Sequence, residues 1–180
     1  MPKLETGSIM PDFTYDTPFA KGLTLAQTVK AAPKTALVFL RYFGCTLCQL
    51  DLHRLAQQYD TVTANGGQVL VVLQSDPAGI AAQIGPDTFP FAIVCDPEQT
   101  LYRQFSIEAA PSKAQLADAK TLLKIAKAAA SGYKHGAYEG NELQLPAVFV
   151  MDAARKLSHV HYGSSAGDVP DPEQLAALLR

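Results

Sequence analysis

The chain has 180 residues, of which 48% are hydrophobic and 18% charged, so it can fill a core. Its net charge of -2 comes with no basic run, which excludes a nucleic-acid or anionic-membrane partner. No apolar stretch approaches the roughly 20 residues that span a bilayer. The N-terminus shows no basic segment followed by an apolar run, so the expected setting is the cytoplasm. Three cysteines are too few for a disulfide scaffold, and in a reducing compartment they point to redox or metal chemistry.

Residues 1–11 read as an irregular lead-in. Phe13 and Tyr15 alternate with polar residues, which predicts a short edge strand. Residues 23–32 suit a short helix capped by Thr24 and stopped by Pro33. The apolar run 36–40 predicts a strand buried on both faces. After Gly44, Leu47, Leu50, Leu55 and Tyr59 recur at roughly helical spacing, and Asn65-Gly66-Gly67 is a stop signal. Residues 68–74 form a second apolar strand, so the two strands are expected to run parallel across a right-handed crossover.

Residues 75–84 predict a short helix closed by Gly85-Pro86, and 91–95 a third strand. Asp96-Pro97 then reads as a helix start. Ser112 and Gln115 suggest a capping box opening one long helix over 112–131. Its apolar face would be Leu116, Leu122, Leu123, Ile125 and Ala126; Lys113, Lys120, Lys124 and Lys127 would be its solvated side. Residues 131–141 read as an exposed loop. Residues 145–152 and 156–162 form a hairpin, and Asp171-Pro172 starts a terminal helix. The fold expected is one α/β domain over residues 1–180: a mixed sheet, flanking helices and a helical insertion. No Gly-rich phosphate loop is present, which separates it from doubly wound nucleotide binders.

Cys45 and Cys48 fall in the first turn of the helix after the central strand. A helix N-terminus carries about half a positive charge and unpaired N–H groups, both of which favour a thiolate. A cysteine with pKa ~8.5 is about 3% thiolate at pH 7, and one shifted to ~6 is about 90%. The second sulfur can then attack a mixed disulfide or sulfenic acid on the first. Arg41 either points at this site, stabilising a thiolate or bound oxyanion, or pairs with a surface carboxylate at the strand's end. Two other readings of the cysteines stay open: a buried pair without redox function, and a metal site of Cys45, Cys48 and His53, which lacks the second ligand pair of common zinc sites. Cys95 reads as a small buried hydrophobe or as a third thiol able to resolve a disulfide. His159 and His161 read as exposed residues of an edge strand.

The segment Leu37-Val-Phe-Leu-Arg41-Tyr-Phe-Gly44-Cys45-Thr-Leu-Cys48 resembles the alkyl hydroperoxide reductase / thiol-specific antioxidant group of the thioredoxin superfamily, and within it the peroxiredoxin-like proteins with an Arg, a Gly and a Cys-x-x-Cys here. Met10-Pro-Asp-Phe-Thr14 resembles the opening strand, Phe91-Ala-Ile-Val-Cys-Asp-Pro-Glu98 a strand and turn, and Leu145-Pro146 through Asp152 the strand facing the active site. The resemblance implies a thioredoxin-like fold, thiol-based reduction of hydroperoxides, no cofactor, and a thiol reductant of thioredoxin or glutaredoxin type. It implies Cys45, Cys48 and Arg41 as catalytic residues, with Gly44, Thr46 and Pro146 at the substrate, Pro146 being cis. Family members often dimerise, so a homodimer is a further expectation.

The departures leave two chemistries open. Typical peroxiredoxins carry Pro-x-x-x-Thr-x-x-Cys; with Cys48 as their cysteine, Arg41 replaces the Pro and Cys45 the Thr. Their second-wall arginine is replaced by Pro146. A thioredoxin alignment makes Cys45 the nucleophile and Cys48 the resolver, and implies disulfide exchange. A redox-sensing module without turnover is the non-catalytic alternative.

Overall fold

The computed structural model describes residues 2–180. Thr14–Tyr15 (β1) and Leu23–Thr24 (β2) form a separate antiparallel pair, so the expected edge strand lies outside the main sheet. It touches that sheet through an Asp16–Cys95 bridge. Thr24 caps the short helix Leu25–Thr28 (α1), its hydroxyl accepting from the Gln27 N–H, and a single tight turn, Val29–Ala31, follows.

Lys34–Phe39 (β3) is the central strand. Thr46–Gln57 (α2) and Tyr59–Val62 (α3) follow, then Gln68–Leu73 (β4). The helix predicted to run to residue 65 therefore breaks at Gln58, and the α3 turn leads to Gly66, whose φ of 84° suits only glycine well. Pro77–Ala81 (α4) starts on Asp76, whose carboxylate accepts from Ala78 and Gly79 N–H. Ala92–Cys95 (β5) precedes Thr100–Gln104 (α5). That helix begins later than Asp96-Pro97 suggested. The Asp96 carboxylate does cap it, but from across a turn, accepting from Thr100 and Leu101 N–H.

The long helix expected over 112–131 is two: Lys113–Leu116 (α6) and Ala119–Ala130 (α7). Asp118 makes the break, because its carboxylate accepts from the Thr121 N–H and starts a new helix. The buried side of α7 is also not the one expected. Thr121, Lys124 and Ala128 face inward, while Leu122, Leu123 and Ile125 are 59%, 66% and 44% exposed. Lys124 is no solvated residue: its Nζ donates to Asp51 Oδ1 at 2.9 Å in a buried ion pair that holds α7 on α2. Ala147–Asp152 (β6), Leu157–Tyr162 (β7) and Pro172–Leu178 (α8) complete the chain, the last opening on an Asp171–Gln174 capping box.

The five-stranded sheet has the order β5-β4-β3-β6-β7. β3 is parallel to β4 and antiparallel to β6, which makes the sheet mixed. Both of its faces are covered, which is why the central strands read as unbroken apolar runs. On one face Ala36 and Val38 pack with Leu47, Leu52, Leu55, Val148 and Leu175. On the other Leu37 and Phe39 pack with Leu25, Tyr102, Phe105 and Phe149. This is an α/β thioredoxin-like architecture with a helical insertion between β5 and β6.

Candidate active site

β3 ends in the middle of the sheet, and its chain turns through residues 40–45 into α2. Cys45 is the N-cap of α2, its sulfur accepting from the Cys48 N–H at 3.4 Å. Arg41 crosses the turn. Its Nη2 donates to Cys45 Sγ at 3.0 Å, and its Nη1 donates to the Glu142 carbonyl at 2.8 Å. The Arg41 backbone N–H points at Cys48 Sγ at 3.4 Å. Of the two placements open to Arg41, the guanidinium takes the one that faces the sulfurs.

These donors split the two thiols. The Cys48 thiol donates to Cys45, and with the Arg41 charge and the Cys48 N–H it brings the Cys45 pKa down to about 6 against the pull of burial. Cys48 moves the opposite way, well above the ordinary thiol range, because it is fully buried, gives its proton to a hydrogen bond and faces the Cys45 charge. The pair is thus one thiolate and one thiol, in chain order.

The stretch 131–141, expected as an exposed loop, forms with Glu142 a strap lying against the active-site turn. The Gly136 N–H donates to the Gly44 carbonyl at 2.8 Å. The backbones touch there: a Cβ on Gly44 would stand 2.5 Å from the Ala137 carbonyl oxygen. Side chains tie the strap on both flanks. Tyr42 Oη and His135 Nε2 are 2.9 Å apart, Gln49 Nε2 donates to the Lys134 carbonyl, and the Ser75 hydroxyl donates to the Glu139 carboxylate at 2.6 Å. Gln74, itself buried, accepts from the Asn141 N–H at 2.9 Å. Cys45, beside Gly44, has 0% exposure.

Gly44 is therefore a packing position against the strap. Thr46 is half-buried at the first residue of α2. Pro146 lies just beyond the Phe39–Ala147 pair that ends the β3–β6 register. The chain contains no cis peptide among its described residues, so the cis isomer expected for Pro146 is corrected to trans. Trans is the lower-energy isomer by about 0.5–1 kcal/mol, and here its carbonyl is already satisfied by the Gly163 N–H at 2.8 Å. Cys95 sits on β5, two strands from β3, where burial and the carboxylates of Asp76, Asp16 and Glu139 push its thiol up to about 12. His53 turns to the Gln49 carbonyl, 2.7 Å from its Nδ1, and lies against Phe89 and Tyr133. Among the described residues no three His, Cys, Asp or Glu side chains group as metal ligands. His161 is half-buried, not an exposed edge residue, with Nε2 3.1 Å from Asp168 Oδ1.

The strap contacts of Tyr42, Gln49, Gln74, Ser75, His135 and Glu139 were not legible in the sequence. They are ordinary polar residues from three separated segments, and only the fold brings them together.

A split dithiol at the mouth of the central strand of this sheet defines a thiol-dependent oxidoreductase of the thioredoxin superfamily. The chain belongs to the AhpC/TSA family, whose model matches residues 6–160. A search of curated protein sequences finds no significant match. Solved structures share the fold at low identity. Peroxidoxin BcpB from Mycobacterium tuberculosis superposes with a TM-score of 0.69 at 15% identity, covering 98% of this chain and 97% of its own. Thiol peroxidase from Chromobacterium violaceum gives 0.65 at 13%, covering 99% and 87%. A structure from Chlorobium tepidum described as the thiol:disulfide interchange protein DsbE gives 0.60 at 20%, covering 99% and 100%.

Proposed function

We propose that this protein reduces hydroperoxides through a Cys45–Cys48 dithiol/disulfide cycle. The observation that carries the reading is the set of donors on Cys45 Sγ: Arg41 Nη2, the Cys48 N–H and the Cys48 thiol. The Cys45 thiolate attacks the terminal oxygen of the peroxide. The O–O bond breaks, the leaving alkoxide or hydroxide takes a proton from water, and Cys45 becomes a sulfenic acid. Cys48 then attacks that sulfur, its proton leaves with the hydroxyl as water, and the disulfide forms. A dithiol reductant of thioredoxin or glutaredoxin type reduces the disulfide and is itself oxidised. Arg41 holds the thiolate and the developing oxyanion. Gly44, Thr46 and Pro146 shape the substrate side. Work as a homodimer in the cytoplasm completes the proposal.

Stopped-flow mixing of the reduced protein with one equivalent of hydrogen peroxide, followed by mass mapping, tests it. The expected result is fast consumption and a Cys45–Cys48 disulfide. Cys48→Ser should stop at the Cys45 sulfenic acid, and Cys45→Ser should react no faster than a free thiol. Wild-type protein reacting only at the free-thiol rate would reject the peroxidase reading. Disulfide exchange is the second reading, favoured by the order of the pair: the low-pKa sulfur precedes the buried one, as in the thioredoxin alignment.

A further inference from the structure

The same donors that activate Cys45 leave it under cover. Its residue has no exposed surface, the glycine before it is in backbone contact with the strap, and the arginine on its sulfur is tied to the strap's end at Glu142. Attack on a disulfide needs the entering and leaving sulfurs in line, with the carbon chains of both partners beyond them. Hydrogen peroxide has two heavy atoms and needs room close to that of water. With no exposed surface at Cys45, both substrates need the strap to move, but a small displacement suffices for hydrogen peroxide and a much wider one is needed for a disulfide.

The strap is built as a cover with polar fastenings. Its outer side is open to water, with Tyr138 64% exposed. Its inner side is held by hydrogen bonds instead of a buried apolar face: Gly136 to Gly44, His135 to Tyr42, and Glu139 to both the Ser75 hydroxyl and the Asp76 N–H. Ser75 in turn accepts from the Phe43 N–H at 2.9 Å, so the Glu139 clasp ends on the active-site turn itself. Such ties can be exchanged for water, and segments held that way open locally at low cost.

We propose that in the reduced protein the strap 131–142 is the specificity-determining element of the site: it lets small hydroperoxides reach the Cys45 thiolate and withholds that thiolate from protein disulfides and other bulky electrophiles, whereas in the oxidised protein, where Cys45 is no longer the thiolate that Arg41 grips, the strap opens to the reductant. Gly136 and Glu139 are its positioning residues. The inference rests on Cys45 as the attacking sulfur, and it names the substrate class of the cycle proposed above.

Two alkylating reagents of different size test it without using peroxide at all. Reduced full-length protein is treated with iodoacetamide or with a maleimide bearing a long polyethylene glycol chain, and Cys45 labelling is followed by mass mapping. The bulky-to-small rate ratio is compared with that of a free cysteine peptide. For the wild type the ratio should fall about tenfold or more below the peptide's, since the bulky reagent needs the wider and rarer opening. Glu139→Ala removes the clasp, and Gly136→Ala places a Cβ 3.0 Å from the Gly44 Cα. Each should raise the bulky rate by about tenfold, with the small-reagent rate moving by less than about threefold. The same variants should gain reactivity toward an oxidised protein disulfide and keep their peroxide rate. A wild-type ratio equal to the peptide's overturns the proposal, whether or not the variants fold. Folded variants that leave the ratio unchanged overturn it as well. Size discrimination with no peroxide reactivity would reject the peroxidase reading and leave the cover standing.

Discussion

At the scale of single residues the chemistry turns on which sulfur holds a charge. The Cys45 thiolate is the reactive form, and its pKa is about 6. Iodoacetamide labelling of Cys45 should therefore rise with pH through about 6 and level off by about 8. The folded value lies below that of a free thiol, so this thiolate also stabilises the fold at pH above the free-thiol value, and that share fades as pH falls through about 6. Arg41→Gln removes one of the charges responsible and should move the labelling midpoint upward. A midpoint that returns to roughly 8 would cut the rate at pH 7 by about tenfold. An unmoved midpoint would show that the Cys48 thiol and the helix end suffice. The cysteine spacing and the glycine before it were legible in the sequence, because they are local. The direction of the Arg41 side chain was not, because it depends on a carbonyl at residue 142.

At the scale of elements the buried Asp51–Lys124 pair does the work of an anchor. Breaking one side leaves the other charge buried, so Lys124→Met should cost about 3–5 kcal/mol in a denaturant titration. Asp51→Leu together with Lys124→Met should recover most of that loss; if the double variant is no better than the single, the pair is not what holds α7. The sequence showed this helix with its faces exchanged. Apolar periodicity marks a buried face only where something packs on it, and here Leu122, Leu123 and Ile125 are left outside while a lysine goes in. The exposed leucines also give the homodimer proposal a handle. The wild type should sediment as a dimer and Leu123→Glu as a monomer, and a monomeric wild type would dismiss the dimer.

Over the whole molecule, stability rests on the doubly covered sheet. Phe39 has no exposure and meets Tyr102, Phe105 and Phe149 edge-on, with centroids 5.0, 6.1 and 5.8 Å away. Phe39→Ala should cost about 3–5 kcal/mol, read as a lowered denaturant midpoint at unchanged slope. A loss below about 1 kcal/mol would mean that the aromatic cluster closes over the gap. The central strands, the hairpin and the terminal helix were all foreseeable, since apolar runs, turn residues and Asp-Pro starts act over a few positions. What escaped was the cover of the site, which joins residues 41–49 and 74–76 to 134–142.

That separation also has a consequence in time. A chain made from its N-terminus presents Cys45 long before Glu142 exists. At ordinary synthesis rates the interval is on the order of 5–20 s. Through it Arg41 lacks the carbonyl that steadies its guanidinium, and the turn at Gly44 lacks the strap that packs on it. The nascent thiol is thus closer to an ordinary cysteine, and its full reactivity arrives only once the last third of the polypeptide has folded back over it.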